Sequence, residues 1–139
     1  MLISLEKKMF FLPSRMFIKK DKLFVSFNLA GIPRDMNVTS MVLHVPLLSF
    51  STSTTVYIKE ITTGWSEKAM KKGDFPLRSK EKQILKCAPG QEEIIIDMTG
   101  FEKKWRLKER DNYGIYIRLK NKDIKYIKSN PTFLIIDTI

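Results

Sequence analysis

His44 and Cys87 are the only histidine and the only cysteine in the chain, so the side chains that most often carry nucleophilic, acid–base and metal chemistry are nearly absent. His44 falls inside a predicted strand. Neither a Ser-His pair nor a two-histidine metal site can be assembled around it within one chain. A single thiol excludes an intrachain disulfide and any cysteine-based zinc or iron–sulfur site, and Cys87 reads as a small buried or half-buried apolar side chain. Hydrolysis by paired carboxylates needs two acids converging on one cleft. Glu60, Glu67, Glu92, Glu93 and Asp97 are available, but no spacing singles out two of them. The residues therefore point to a protein that is not an enzyme, with no cofactor and no resident metal.

Charge is the stronger signal. Lys and Arg number 25 against 15 Asp and Glu, for a formal net charge of +10, which attracts polyanions such as acidic polysaccharide, nucleic acid or an anionic surface. The cations cluster in one stretch from Lys68 to Lys86 and in another from Lys103 to Arg110. The candidate ligand-binding residues are Trp65, whose flat ring can face a sugar, with Lys68, Lys71, Lys72 and Arg78 beside it. The structural alternatives are a Trp65 packed at the rim of the core and lysines that merely solvate a loop. Phe75 and Tyr113 can add stacking, but most aromatic residues fall at core-facing positions, so specific nucleic-acid recognition is not expected.

The elements that must hold these residues read as β-structure throughout. Met9 to Leu12 ends at Pro13, and Leu23, Val25, Phe27 and Leu29 then alternate with Phe24, Ser26 and Asn28, as in a strand with one face on the core. Val38 to Val45 and Thr54 to Thr62 follow, the latter with Val56 and Ile58 on one face and Tyr57, Lys59 and Ile61 on the other. Residues 66–90 hold two glycines and two prolines among many lysines. They predict a long basic loop with at most a short strand at Gln83 to Cys87. Glu93 to Asp97 is a strand leading into one short helix over Met98 to Leu107, with Asp97 and Thr99 at its start and Phe101 and Trp105 four apart on its buried face. Asn112-Tyr113-Gly114 turns into Ile115 to Leu119, and Thr132 to Ile136 closes the chain. The expectation is a single domain over residues 1–139: an all-β, antiparallel, jelly-roll-like sandwich of seven or eight strands with one short helix.

Several of these segments, in order, resemble the DNRLRE-type domains, also described as TGF-β propeptide-like or disaggregatase-related sandwiches. Leu23 to Leu29 followed by Gly31-Ile32-Pro33 is similar to that family's "L-x-F-D-L-x-x-I-P", and Val38 to Leu43 to its "V-T-S-A-x-L". Val56-Tyr57 through Thr62, with Trp65-Ser66-Glu67, resembles "V-x-V-Y-x-V-T-x-x-W-S-E". Ile95 to Thr99 with Trp105, Asn112 to Ile115, and Pro131 to Leu134 resemble its remaining elements, so the likeness spans about residues 23–136. It implies a jelly-roll-like accessory module of extracellular or surface proteins, in some cases implicated in polysaccharide binding. Asn28 stands where the family usually has Asp, so no carboxylate calcium site is carried over.

These readings converge on two functions. The first is a non-catalytic structural or adhesive subunit of a surface, spore or virion assembly, joining other copies through the apolar ends Met1 to Leu12 and Thr132 to Ile139. The alternative is a carbohydrate-binding module for an acidic glycan. The apolar stretches of Met1 to Lys20 are too short and interrupted for a signal peptide or a membrane span, which leaves localisation open.

Overall fold

Short runs in which every second residue is apolar become strands because successive side chains point to opposite faces. The computed structural model describes residues 7–48, 50–121 and 123–139; Met1 to Glu6, the start of the apolar end named above, lie outside the described residues. Among the described residues nine strands form: β1 (Lys7–Phe11), β2 (Arg15–Lys19), β3 (Lys22–Ser26), β4 (Val38–Pro46), β5 (Thr54–Glu60), β6 (Gln83–Cys87), β7 (Glu93–Asp97), β8 (Ile115–Leu119) and β9 (Phe133–Thr138). A four-stranded sheet has the order β1-β9-β4-β7 and a five-stranded sheet the order β2-β3-β8-β5-β6. Every pairing is antiparallel. Without β2, the orders 1-9-4-7 and 3-8-5-6 are those of an eight-stranded jelly roll, so β2 is an addition at one edge.

The inner faces meet in one apolar core. Leu23 and Val25 of β3, Met41, Leu43 and Val45 of β4, Ile94 and Ile96 of β7, Ile115, Ile117 and Leu119 of β8, and Leu134 and Ile136 of β9 are all buried at a period of two. Burying each such side chain contributes about 1.5–3 kcal/mol, the main favourable contribution to folding. Tyr126 closes one end of the core, its hydroxyl donating to the Asp21 carbonyl at 2.8 Å. Burial pushes that hydroxyl well above the ordinary phenol range.

Three features depart from the pattern read in the sequence. Strand β2 was not anticipated, because its hairpin to β3 turns on Lys20-Asp21, with Lys20 at φ 56°, in place of the Asn-Gly or Asp-Gly pairs that announce such turns. Strand β3 is covered on both faces: Phe24 and Ser26 are as buried as Leu23 and Val25. Ser26 lies against Ser14, Arg15 and Gly114, and Phe24 is covered by residues 61–78, which are not a free loop. They contain a one-turn helix, α1 (Glu67–Lys71), capped by the Ser66 hydroxyl accepting from the Ala69 N–H at 3.1 Å and anchored by buried Met70. The segment is tied back by Thr62 N–H to the Leu77 carbonyl at 2.9 Å and Ser79 N–H to the Glu60 carbonyl at 2.8 Å. The short strand anticipated at Gln83 to Cys87 is β6.

The expected helix is present as a 3₁₀ turn at Thr99–Phe101 running into α2 (Glu102–Leu107), with Phe101 and Trp105 rings 5.6 Å apart. Asp97 accepts from the Thr99 N–H at 3.0 Å and the Thr99 hydroxyl at 2.6 Å, while that hydroxyl accepts from Met41 N–H at 3.0 Å. The side-chain bond and then the backbone bond hold the Asp97 carboxyl below the ordinary range. A lowered folded pKa contributes stability above the unfolded value, and that contribution is lost as pH falls through the folded value. Asp97→Ala is therefore expected to lower stability by roughly 1 kcal/mol or less at neutral pH, the carboxylate being exposed. Urea unfolding at several pH values checks this: the gap between variant and parent closes in acid, and a gap that persists there would assign the effect to packing instead.

Candidate functional site

Strand pairing brings cations from four corners of the sequence onto the outer face of the five-stranded sheet. Since Leu23, Val25, Val56, Ile58, Ile117 and Leu119 point into the core, the residues between them point out. The register then lays Lys19, Lys22, Arg118, Tyr57 and Ile84 side by side on five adjacent strands. The next row on the same face is Phe17, Phe24, Tyr116 and Lys59. On the other flank Lys86, opposite Thr55, joins Lys120 in lining an open groove of about 520 Å³ together with Ser53, Thr54 and Asn121.

The electrostatics of the first row are unfavourable in isolation. Lys19 faces Lys22, and Lys22 faces Arg118, and like charges directly opposite on paired strands destabilise a sheet. The ion pairs among the described residues are Lys8–Asp137, Lys104–Glu60 and Arg106–Glu102, and the His44 imidazole contacts Glu93. None involves a cation of this face. Four cations of this face rest instead on aromatic rings: Arg118 and Lys82 at 4.8 and 4.7 Å from the Tyr57 centroid, Arg78 at 4.3 Å from Tyr116, and Lys19 at 5.2 Å from Phe75. Such contacts are weakly stabilising at the surface and leave the charge undiminished. Burial raises the pKa of the Tyr116 hydroxyl, with Arg78 and Arg118 pulling in the other direction.

The residues singled out in the sequence separate into three groups. Arg78 belongs to the basic face, bridged through its backbone to Ile61 and lying over Tyr116. Lys68, Lys71 and Lys72 are exposed on α1 and its C-terminal cap, and α1 flanks β2, with Glu67 accepting from the Met16 N–H at 3.0 Å. Trp65 is only 7% exposed. Its indole N–H donates to the Tyr113 carbonyl at 2.7 Å, its ring meets Phe24 at 6.2 Å, and the Arg15 guanidinium covers it at 5.0 Å while donating to its carbonyl. A ring so enclosed offers no flat face to a sugar. The second basic stretch is partly structural: Lys104 pairs with Glu60 at 2.8 Å, and Arg106 is buried against Glu102.

Lys19, Lys22, Lys59 and Arg118 escaped the sequence reading because it grouped cations by their distance along the chain. A usable signal was present in Tyr57-Ile58-Lys59 and Tyr116-Ile117-Arg118, where aromatic, apolar and basic residues recur in both strands, so that ring and charge share the outward face.

The side chains of this face are of the types that can hold an anion. Guanidinium groups hold carboxylates and sulfates through paired hydrogen bonds, and ammonium groups add charge without fixing orientation. His44 lies on the other sheet, with Nδ1 3.3 Å from a Glu93 carboxylate oxygen and its ring stacked on Phe133 at 4.8 Å. Cys87 is buried in the core, where desolvation raises its thiol pKa. Among the described residues no helix is long and apolar enough to cross a membrane. In comparisons with known proteins, no family model and no curated protein matches the chain.

Proposed function

We propose that this chain is a non-catalytic binding module that holds an acidic glycan along the part of the outer face of its five-stranded sheet that residues 61–78 leave uncovered. The observation that carries the proposal is the row Lys19, Lys22 and Arg118, three adjacent cations without an ion-pair partner among the described residues. A bound anion converts their mutual repulsion into attraction. Five strands at about 4.8 Å spacing give a track roughly 19 Å wide, enough for several charged sugar residues. The tyrosine and phenylalanine rings already carry cations, which favours a ligand read through its charges over single-stranded nucleic acid, whose bases need free aromatic faces. The likeness to DNRLRE-type accessory sandwiches supports the same reading.

Calorimetric titration with a carboxylated and a sulfated polysaccharide tests it. Binding is expected at low salt and should weaken steeply as salt rises. Replacing Lys22→Gln together with Arg118→Gln should lower affinity at least about tenfold, since a hydrogen bond to a charged group contributes roughly 1.5–3 kcal/mol. The same double variant should melt no lower than the parent, because it removes a repulsion. Binding that ignores the double variant, or its absence for every acidic glycan, rejects the proposal.

A second reading, a structural or adhesive subunit of a cell-surface, spore or virion assembly, is favoured by Phe10, Leu12 and Ile95, which are exposed on the side of the four-stranded sheet away from the core. The two readings are compatible in one molecule, since they use opposite faces.

A further inference from the structure

We infer that the cavity between β2, the chain just after β3 and α2 binds a single neutral sugar residue, or a polyol of that size, through its hydroxyl groups. Among the described residues, two buried side-chain polar atoms lack a hydrogen-bond partner, Trp105 Nε1 and Asn112 Oδ1. Both residues line one cavity of about 230 Å³, together with Ser14, Arg15, Ser26 and Glu109. Buried polar groups are nearly always paired, so two orphans in one cavity wall call for a partner that the chain does not supply. The place is distinct from the basic row: Arg15 and Ser26 pair at the open end of the β2–β3 hairpin, and Lys19 and Lys22 at its turn. This site stands whether or not the basic face holds a glycan.

The unpaired atoms specify what enters. The Asn112 amide nitrogen donates to the Phe27 carbonyl at 2.7 Å, which leaves the amide oxygen as the free end, an acceptor only, while the Trp105 indole nitrogen is a donor only. One hydroxyl group accepts from the second and donates to the first. The rest of the wall repeats the mixture: Arg15 donates, Glu109 accepts, and the Ser14 and Ser26 hydroxyls, 3.3 Å apart, do both. A primary amide offers a donor and an acceptor only once, whereas this wall suits a ligand with several hydroxyls. Arg15 and Glu109 are the charged residues of the cavity, one of each sign, so it has no net charge with which to select an anion or a cation. Size agrees with a single sugar ring. At about 30 Å³ per water, 230 Å³ is room for about seven or eight waters, more than two orphaned atoms need and less than the pockets of about 300 Å³ and above that hold larger ligands. Both unpaired atoms are closed to solvent, so a ligand reaches them as the rim yields, and Glu109 stands exposed there on a flexible side chain.

Proton–nitrogen NMR on the full chain tests this, because Trp65 and Trp105 carry its two indole N–H groups and that of Trp65 is already bonded to the Tyr113 carbonyl. Glucose, galactose, mannose, N-acetylglucosamine and glycerol are titrated well past a Kd of about 1 mM. At least one is expected to shift the Trp105 indole signal saturably while the Trp65 signal stays in place. The affinity should be the same at low and high salt, since no net charge is paired. Followed through the sugar's own signals, Trp105→Phe should lower the affinity at least about tenfold, because it removes the indole donor. Glu109→Ala, at an exposed position, should lower it several-fold and serves if the Trp105 variant unfolds. Lys22→Gln with Arg118→Gln should leave it unchanged. A Trp105 signal that none of these compounds moves, equal shifts at both indoles, or binding lost at high salt would each overturn the assignment. So would full affinity in the cavity variants, a response to acetamide but to no sugar, or a water held on the indole N–H that no sugar displaces.

Discussion

Replacing Gly114 by alanine is expected to remove more than about 4 kcal/mol of stability, enough to unfold a domain of ordinary marginal stability. Gly114 sits at φ +91°, and a Cβ there would lie 2.1 Å from the Val25 carbonyl oxygen and 2.7 Å from the Ser26 Cβ. Neither neighbour can yield. β3 lies between β2 and β8 and is buried on both faces. The Gly114 carbonyl also accepts from Ile61 N–H at 3.0 Å, fastening the segment that covers Phe24. Gly73 and Gly90 are the controls: φ is +86° and +82°, but nothing lies within 4 Å of an added Cβ. Alanine at either should cost only about 1–2 kcal/mol, from backbone strain alone. Urea unfolding of the three variants separates close approach from conformational strain, and equal losses at Gly114 and Gly73 would refute the steric argument.

The second large effect concerns Glu102 and Arg106, one helical turn apart on α2, with side chains 5% and 6% exposed and hydrogen-bonded to each other. The guanidinium also donates to the Pro33 and Arg34 carbonyls at 3.1 and 2.7 Å, so the pair fastens the loop after β3 to the helix. Glu102→Ala leaves a buried cation without its counter-charge, a change that typically costs about 3–5 kcal/mol. Glu102→Leu combined with Arg106→Leu should be less damaging than Glu102→Ala alone, because no isolated charge remains. A double-mutant cycle measured by thermal unfolding checks this. If the double variant is the worse of the two, the bonds to Pro33 and Arg34 outweigh the charge balance.

Much of the sandwich was legible because a strand writes its burial directly into alternate residues. Val56 and Ile58 inward with Tyr57 and Lys59 outward, and Ile115, Ile117 and Leu119 inward, follow from period two alone. The helix at 102–107 was legible from the four-residue spacing of Phe101 and Trp105. Strand β2 was not, because a Lys-Asp hairpin carries no turn signature. The cover over Phe24 was also illegible, since a strand that alternates Phe and Ser outward looks half-exposed until something folds onto it.

By itself, then, the sequence determined the β architecture, the basic balance and the scarcity of nucleophilic and metal-binding side chains, because composition and periodicity are local properties. Only the tertiary structure decided which cations lie together. Lys19, Lys22 and Arg118 lie up to 99 positions apart yet meet in one row, since antiparallel register, which depends on every turn between them, sets cross-strand neighbours. The same packing took Trp65 out of solvent, beneath Arg15 and against Phe24, where an isolated reading of its type had left it free to meet a sugar.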